Sequence, residues 1–317
     1  MDHGAEAEQS QLWAAWTEHD SQLDAVARKI LDEDPAGRRF AGTIRRSIDM
    51  LLDGQHTGRF RWDQLYKTEK IHLGTLIEIN LQREFAFADG ERMDYQIAGV
   101  DVDCKVSQKR GSWMVPPEAH GELLLVVWAS GSEAKWCAGL VRARPELLNP
   151  GGNRDGKRTL NAAGKNSVRC LFKDAPLQDN VLLRLPPEDI TAIFSHKGGQ
   201  RRLDELFLRA QRRLVSRSVV ATVAMQEDYM RRVRGGGSSR TRLRPRGIVI
   251  LGDYSSHGEV AQRLGLAVPQ AGESLSARLT RLRADHGEVP WVDLDGVRWT
   301  LALPEDPEEL APNLPGI

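Results

Sequence analysis

Asp94-Tyr95-Gln96-Ile97-Ala98-Gly99-Val100-Asp101-Val102-Asp103-Cys104-Lys105 is the stretch from which the fold can be read. Apolar and polar residues alternate on both sides of Ala98-Gly99, the pattern of two strands joined by a two-residue turn. That turn pairs Ile97 with Val100, Gln96 with Asp101, Tyr95 with Val102 and Asp94 with Asp103. Side chains directly opposite in such a ladder have Cβ atoms about 4.5–5.5 Å apart, so two carboxylates there repel unless a cation lies between them. The period of two also puts Asp103 and Lys105 on one face, and Val102, Cys104 and Val106 on the other, apolar face. Two carboxylates and an amine beside a buried sheet suit Mg2+, a hard ion that takes one or two protein acids and leaves its other positions to water and phosphate oxygens. Phosphodiester hydrolysis uses that chemistry: the ion polarises the phosphate and acidifies a water, while a lysine orients the water or balances developing charge. Glu78, in an apolar run upstream, is placed to supply a third carboxylate. The spacing alone also fits a hairpin with solvated charges, so the rest of the chain has to decide.

Upstream, Phe40, Ile44, Ile48, Leu51 and Leu52 follow a period of 3.6 after Asp34-Pro35, and Gly54 closes the helix they predict. Trp62, Leu65, Tyr66, Ile71, Leu73, Leu76, Ile77, Ile79 and Leu81 predict more helix, ending near Phe87-Ala88-Asp89-Gly90. Residues 123–128 are a continuous apolar run of strand length and residues 138–141 suggest another buried strand. The expectation is an α/β domain with a mixed sheet. The polar stretch 172–180, which contains Pro176, reads as a linker between a domain over 1–171 and one over 181–317. In the second, Pro186-Pro187-Glu188-Asp189 opens a helix, and Leu203, Leu206, Phe207, Ala210 and Leu214 form an apolar stripe among arginines. Residues 219–233 read as one further helix, and Gly235-Gly236-Gly237-Ser238-Ser239 as a flexible connector between arginine-rich segments. A strand at 248–251, a helix at 259–264 and a hairpin turning at Asp295-Gly296 complete a mainly helical helix-turn-helix module with a β wing.

The chain of 317 residues is long enough for two such domains, and 40% apolar with 28% charged residues fits a soluble globular protein. No apolar run reaches the roughly 18 residues of a spanning helix, and the start Met1-Asp2-His3-Gly4-Ala5-Glu6 lacks the pattern of a signal peptide, so a cytoplasmic protein without membrane contact is expected. Cys104, Cys137 and Cys170 are too few and too dispersed for a disulfide framework or a CxxC zinc site. Absence of GxxxxGK[ST], HExxH and GxSxG removes phosphate-loop, zincin and serine-hydrolase readings, and nothing implies a nucleotide cofactor. Net charge is zero, yet residues 1–35 carry −7 while residues 195–250 carry +10, with thirteen arginines among their fourteen basic side chains. A polyanion partner is the natural reading of that basic segment, against a solvated helical face.

Several blocks together carry a resemblance. Asp53-Gly54-Gln55-His56-Thr57-Gly58-Arg59, Asp63-Gln64-Leu65-Tyr66-Lys67-Thr68-Glu69-Lys70, Gly74-Thr75-Leu76-Ile77-Glu78-Ile79-Asn80-Leu81 and the hairpin itself closely resemble the NaeI-like type II restriction endonucleases. The likeness continues through Trp113-Met114-Val115-Pro116-Pro117-Glu118, Asn153-Arg154-Asp155, Met230-Arg231-Arg232-Val233-Arg234-Gly235 and Gly247-Ile248-Val249-Ile250-Leu251-Gly252. It implies a homodimeric, Mg2+-dependent endonuclease with a PD-(D/E)xK-type N-terminal domain and a C-terminal DNA-binding domain similar to the helix-turn-helix (CAP-like) region of the catabolite activator protein. It further implies two bound copies of double-stranded DNA, one cut and one acting as effector, and the target GCCGGC. The family's catalytic pattern falls on Glu78, Asp94, Asp103 and Lys105, with Met93 where the motif's name has proline. Asp94 and Asp103 would ligate Mg2+, Glu78 would complete or tune the site, and Lys105 would position the water. Arg231, Arg232, Arg234, Arg240, Arg242, Arg244 and Arg246 would contact phosphates of the second duplex. The competing readings are a non-catalytic winged-helix regulator on a degenerate nuclease fold, which intact acids and lysine disfavour, and a repair nuclease that reads DNA structure.

Overall fold

The computed structural model describes residues 20–316. They form two compact units. The first comprises residues 20–47 together with His72–Leu177, the second Ile48–Ile71 together with residues 178–316.

In the first unit, helices α1 (Ser21–Glu33), α2 (Arg38–Leu52, as far as Ser47) and α4 (Lys67–Phe85, from His72) accompany a six-stranded sheet. Its strands are β1 (Ala88–Asp89), β2 (Tyr95–Ile97), β3 (Val100–Ser107), β5 (Leu123–Ser130), β6 (Lys135–Arg142) and β8 (Arg169–Pro176), in the order β1-β2-β3-β5-β6-β8. The sheet is mixed as expected, because β3 and β5 run parallel while the other neighbours are antiparallel. Pleating separates two faces. On one, Trp136 of β6 stacks against Phe40 of α2 with ring centroids 5.8 Å apart, and Tyr95 donates its hydroxyl hydrogen to the Glu78 carbonyl of α4 at 2.8 Å. Gly37, with φ +68°, allows the turn into α2, since a Cβ there would lie 2.8 Å from the Trp136 ring. On the other face Leu124, Val126 and Trp128 pack with Trp113, Val115, Leu148 and Leu160. That second layer holds the two-stranded ladder of β4 (Met114–Val115) and β7 (Arg158–Thr159), followed by the short helix α5 (Ala162–Asn166).

The second unit begins with α3 (Gly54–Thr57) and continues with α6 (Pro187–Ser195), α7 (Gly199–Arg209), β9 (Leu214–Ser216), α8 (Arg217–Ala224), α9 (Tyr229–Arg234), α10 (Ser239–Arg242), β10 (Ile248–Gly252), α11 (Ser255–Arg263), β11 (Glu273–Arg281), β12 (Trp291–Leu294) and β13 (Val297–Leu301). Strand β11 is central, with β10 along one side and β9 and β13 along the other. Leu203, Leu206, Phe207, Val219, Val223, Ile248 and Ile250 form its main core. Gly54 fits against α8 only because it has no side chain: a Cβ there would overlap the Thr222 hydroxyl and come within 2.9 Å of the Arg59 carbonyl.

Three expectations change. Residues 172–176 belong to edge strand β8 rather than to a linker, and Ile48–Ile71 joins the second unit, so the division is not a single cut between 171 and 181. The predicted helix over 219–233 is two helices, because Met225 adopts a left-handed conformation (φ 51°) that ends α8. The Gly-Ser segment is not a free connector: Ser238 and Ser239 are buried and the Ser239 hydroxyl donates to Asp204 at 2.7 Å. Among the described residues no helix is long and apolar enough to cross a membrane.

Candidate functional site

Ala98 (φ 52°) and Gly99 (φ 75°) make the two-residue turn, and the ladder pairs Tyr95 with Val102, Gln96 with Asp101 and Ile97 with Val100. One step further along that register sit Asp94 and Asp103. The Cys104 backbone N–H donates to Asp94 Oδ2 at 2.7 Å, which pins this carboxylate against β3. Lys105 Nζ lies 2.6 Å from Asp103 Oδ1 and 3.7 Å from Asp94 Oδ2, and also donates to the Cys104 carbonyl at 3.1 Å. The structure therefore brings Asp94, Asp103 and Lys105 into one cluster. Glu78 stands on α4, close enough for its titration to feel Asp94, Lys105 and Asp103.

The electrostatics are those of carboxylates taken out of water without enough positive charge. Burial, then the charge of Asp94, raises the Glu78 pKa to about 7. Burial also raises Asp103, although Lys105 works against the shift. Burial alone would lower Lys105, but the Asp103 and Asp94 charges outweigh it and hold the ammonium form above its ordinary range. The Cys104 thiol is pushed up to about 12 by burial, so it packs as a neutral group under the sheet. Asp103 Oδ2 is buried and has no hydrogen-bond partner among the described residues. An orphaned carboxylate oxygen in a crowded acidic site costs free energy unless a cation meets it. The donor set fits a hard ion with two protein carboxylates and water in its other positions. Among the described residues no group of three or more His, Cys, Asp and Glu side chains is gathered closely enough to hold a metal, so the pair Asp94 and Asp103 is what the geometry offers.

The arginine-rich segment divides by use. Arg231 and Arg234, on α9, are exposed and make no ion pair among the described residues. Arg232 pairs with Asp228 at 2.9 Å, Arg242 with Asp204 at 2.7 Å and Arg246 with Glu308 at 2.9 Å, all at least partly open to solvent. Arg244 donates through Nε and a terminal nitrogen to the Ala311 carbonyl. Arg240 departs from the expectation of a phosphate contact: it is 9% exposed, its Nε donates to the Ile250 carbonyl at 3.1 Å, and burial lowers its pKa. A run of arginines reads as solvated surface, and only tertiary packing turned this one inward.

Sequence reasoning passed over two features of this unit. Arg202 donates to the carbonyls of His196, Lys197, Val223 and Ala224, tying the ends of α6 and α8 to α7. Lys197, Arg201 and Arg232 line an open hollow of about 500 Å3 at the start of α7. The signal for the second was present as Lys197-Gly198-Gly199 ahead of a helix.

Known proteins resemble this chain over nearly its whole length. The family described as "Restriction endonuclease NaeI" matches residues 24–309. The "Type II restriction enzyme NaeI" of Lentzea aerocolonigenes is 46% identical over 314 residues, which cover 96% of this chain and 98% of that protein. A non-catalytic regulator gives way to a site-specific deoxyribonuclease, with double-stranded DNA as its substrate. Intact acids and lysine on the hairpin, a mixed sheet beneath them and a match that spans both units lead to one assignment: the chain belongs to the NaeI family of type II restriction endonucleases.

Proposed function

We propose that this endonuclease hydrolyses DNA phosphodiesters with Mg2+ at the palindrome GCCGGC, in the cytoplasm, as a homodimer activated by a second DNA copy. The first unit would act as the PD-(D/E)xK nuclease. The second would act as a winged-helix, CAP-like effector-binding module, a reading supported by its succession α7, β9, α8, α9 and α10, β10, β11 and by the basic charge of residues 195–250. Target, dimer and effector follow from the family resemblance. The metal reading rests on one observation, the buried and unpartnered Asp103 Oδ2 beside Asp94.

Asp94 and Asp103 would hold Mg2+, whose Lewis acidity polarises the phosphate and acidifies a bound water. The Cys104 N–H fixes the Asp94 carboxylate so that it does not reorganise when DNA arrives. Lys105, kept charged by both aspartates, orients the attacking water and offsets the negative charge that gathers on the phosphoryl oxygens. Glu78, whose pKa burial and the Asp94 charge raise to about 7, tunes the charge the site carries near neutral pH.

The test is digestion of plasmid DNA carrying several GCCGGC sites, with Mg2+ or EDTA, by the wild type and by Asp103→Ala. Discrete Mg2+-dependent fragments from the wild type alone, with ends at those sites, support both the chemistry and the target. Fragments with other ends discard the target, and cleavage that survives EDTA or Asp103→Ala discards the metal site.

A further inference from the structure

We infer that the turn at residues 153–157 reads base edges of the duplex being cut, with Arg154 and Asp155 as the discriminating side chains. The inference rests on placing the chemistry at Asp94, Asp103 and Lys105. Strand register locates the turn relative to them. Asp103 is level with Leu124 and Lys105 with Val126 on the neighbouring strand, so all four side chains point to the same face of the sheet. That face is the one covered by Val115, Leu148 and Leu160, which belong to the layer from which the turn projects. The turn also sits at the matching end of the sheet. A Cβ on Gly156 would lie 3.2 Å from Pro117, a few residues ahead of Leu123, where β5 begins level with Val102. Arg92, two residues before Asp94, pairs with Glu122 at that same end.

The turn is preorganised. Asn153 Oδ1 accepts from the backbone N–H groups of Asp155 and Lys157 at 3.0 and 2.9 Å, while the Asn153 N–H and carbonyl bond to Lys157 and Gly156. Its base is held by the β4–β7 ladder through Met114 with Thr159 and Val115 with Arg158. With Asn153 spent on the backbone, Arg154, Asp155 and Lys157 are left exposed, without an ion pair among the described residues. Packing does not explain these side chains. Their chemistry matches base pairs: an arginine fork fits O6 and N7 of guanine, and an aspartate accepts from N4 of cytosine, so the two together suit G·C pairs in the major groove. Lys157 suits the adjacent phosphate.

The test uses the full-length protein. Fragment ends first define the cleaved sequence, and cleavage rates are then measured on duplexes carrying each single base-pair change of it. Arg154→Ala is expected to lose roughly 5- to 150-fold in rate on the wild-type sequence and to stop discriminating at one symmetry-related pair of positions, keeping its discrimination elsewhere. Arg154→Lys keeps the charge without the fork and is expected to lose the same discrimination. Asp155→Ala should behave likewise at its own position. Lys157→Ala should slow every duplex alike and lower the salt dependence by about one phosphate contact. Rate ratios unchanged by both Arg154 and Asp155 variants overturn the inference, whether all duplexes are cut normally or all are slowed uniformly. Failure of the underlying site reading shows separately, as normal cleavage by Asp103→Ala.

Discussion

Glu78→Gln removes a carboxyl that the fold holds in an unfavourable place. Its pKa lies at about 7 in the folded protein, through burial and then Asp94, against an ordinary value of 4.5. Since the folded value is the higher, the native state binds this proton more tightly than the unfolded chain does. No stability is lost below about pH 4.5, it drains away as the pH climbs towards 7, and the penalty is complete above that. At about 1.4 kcal/mol per pH unit the interval corresponds to an upper bound of about 3 kcal/mol, and solvent screening of a part-exposed carboxyl brings the expectation to about 1–3 kcal/mol. Glu78→Gln should therefore match the wild type near pH 4 and exceed it by that amount at about pH 8. Urea unfolding in EDTA, followed by hydrogen exchange of the β3 amides, reads the first unit separately from the second. A stability difference that does not vary with pH, or a wild type as stable as the variant at alkaline pH, would show that the site carries no such electrostatic cost.

Further outcomes can be checked. Lys105→Ala should lower the cleavage rate at saturating DNA by about 100-fold or more, as loss of one preorganised cationic group at a reacting phosphate does, with DNA affinity little changed. The joint variant of Arg231→Ala and Arg234→Ala should weaken DNA binding by the second unit uniformly across sequences and reduce the salt slope by about two contacts, measured by fluorescence anisotropy. Arg240→Ala, by contrast, should lower the unfolding midpoint, because the Ile250 carbonyl loses its buried donor. Gly54→Ala forces a methyl into Thr222 and the Arg59 carbonyl and should destabilise the second unit by about 1–3 kcal/mol by urea unfolding.

The hairpin was legible because alternation, a glycine in the two-residue turn and the pairing register are all local properties. Ala98 and Gly99 both take positive φ, and every pair from Tyr95 to Val102 falls where counting from the turn puts it. Strand β8 was not legible. An edge strand tolerates proline, charge and bulges, so Lys173, Asp174 and Pro176 read as a loop, although β6 pairs with Phe172, Ala175 and Pro176 and leaves Lys173 and Asp174 in the irregularity between them. The break at Met225 had no signal either, since methionine carries no preference for the left-handed region. Asp94, Asp103 and Lys105 could be grouped by spacing, but the unpartnered Asp103 oxygen depends on what packs around the hairpin. Burial of Arg240 is tertiary in the same way.

The chain passes between the two units at Ser47/Ile48, at Ile71/His72 and again at Leu177/Gln178. A C-terminal piece begun near residue 178 would lack Phe60, whose ring stacks on Phe194 at 5.9 Å, and Gly54, which abuts Thr222. The second unit is thus not a cassette that one junction can transplant. A chimera that exchanges it between relatives has to graft Ile48–Ile71 along with the C-terminal half, splicing inside helices α2 and α4 rather than in a loop. The same architecture constrains recombination between related genes: a single crossover near the middle of the coding sequence yields a second unit assembled from two parents, whose joint between α3 and α8 has never been matched.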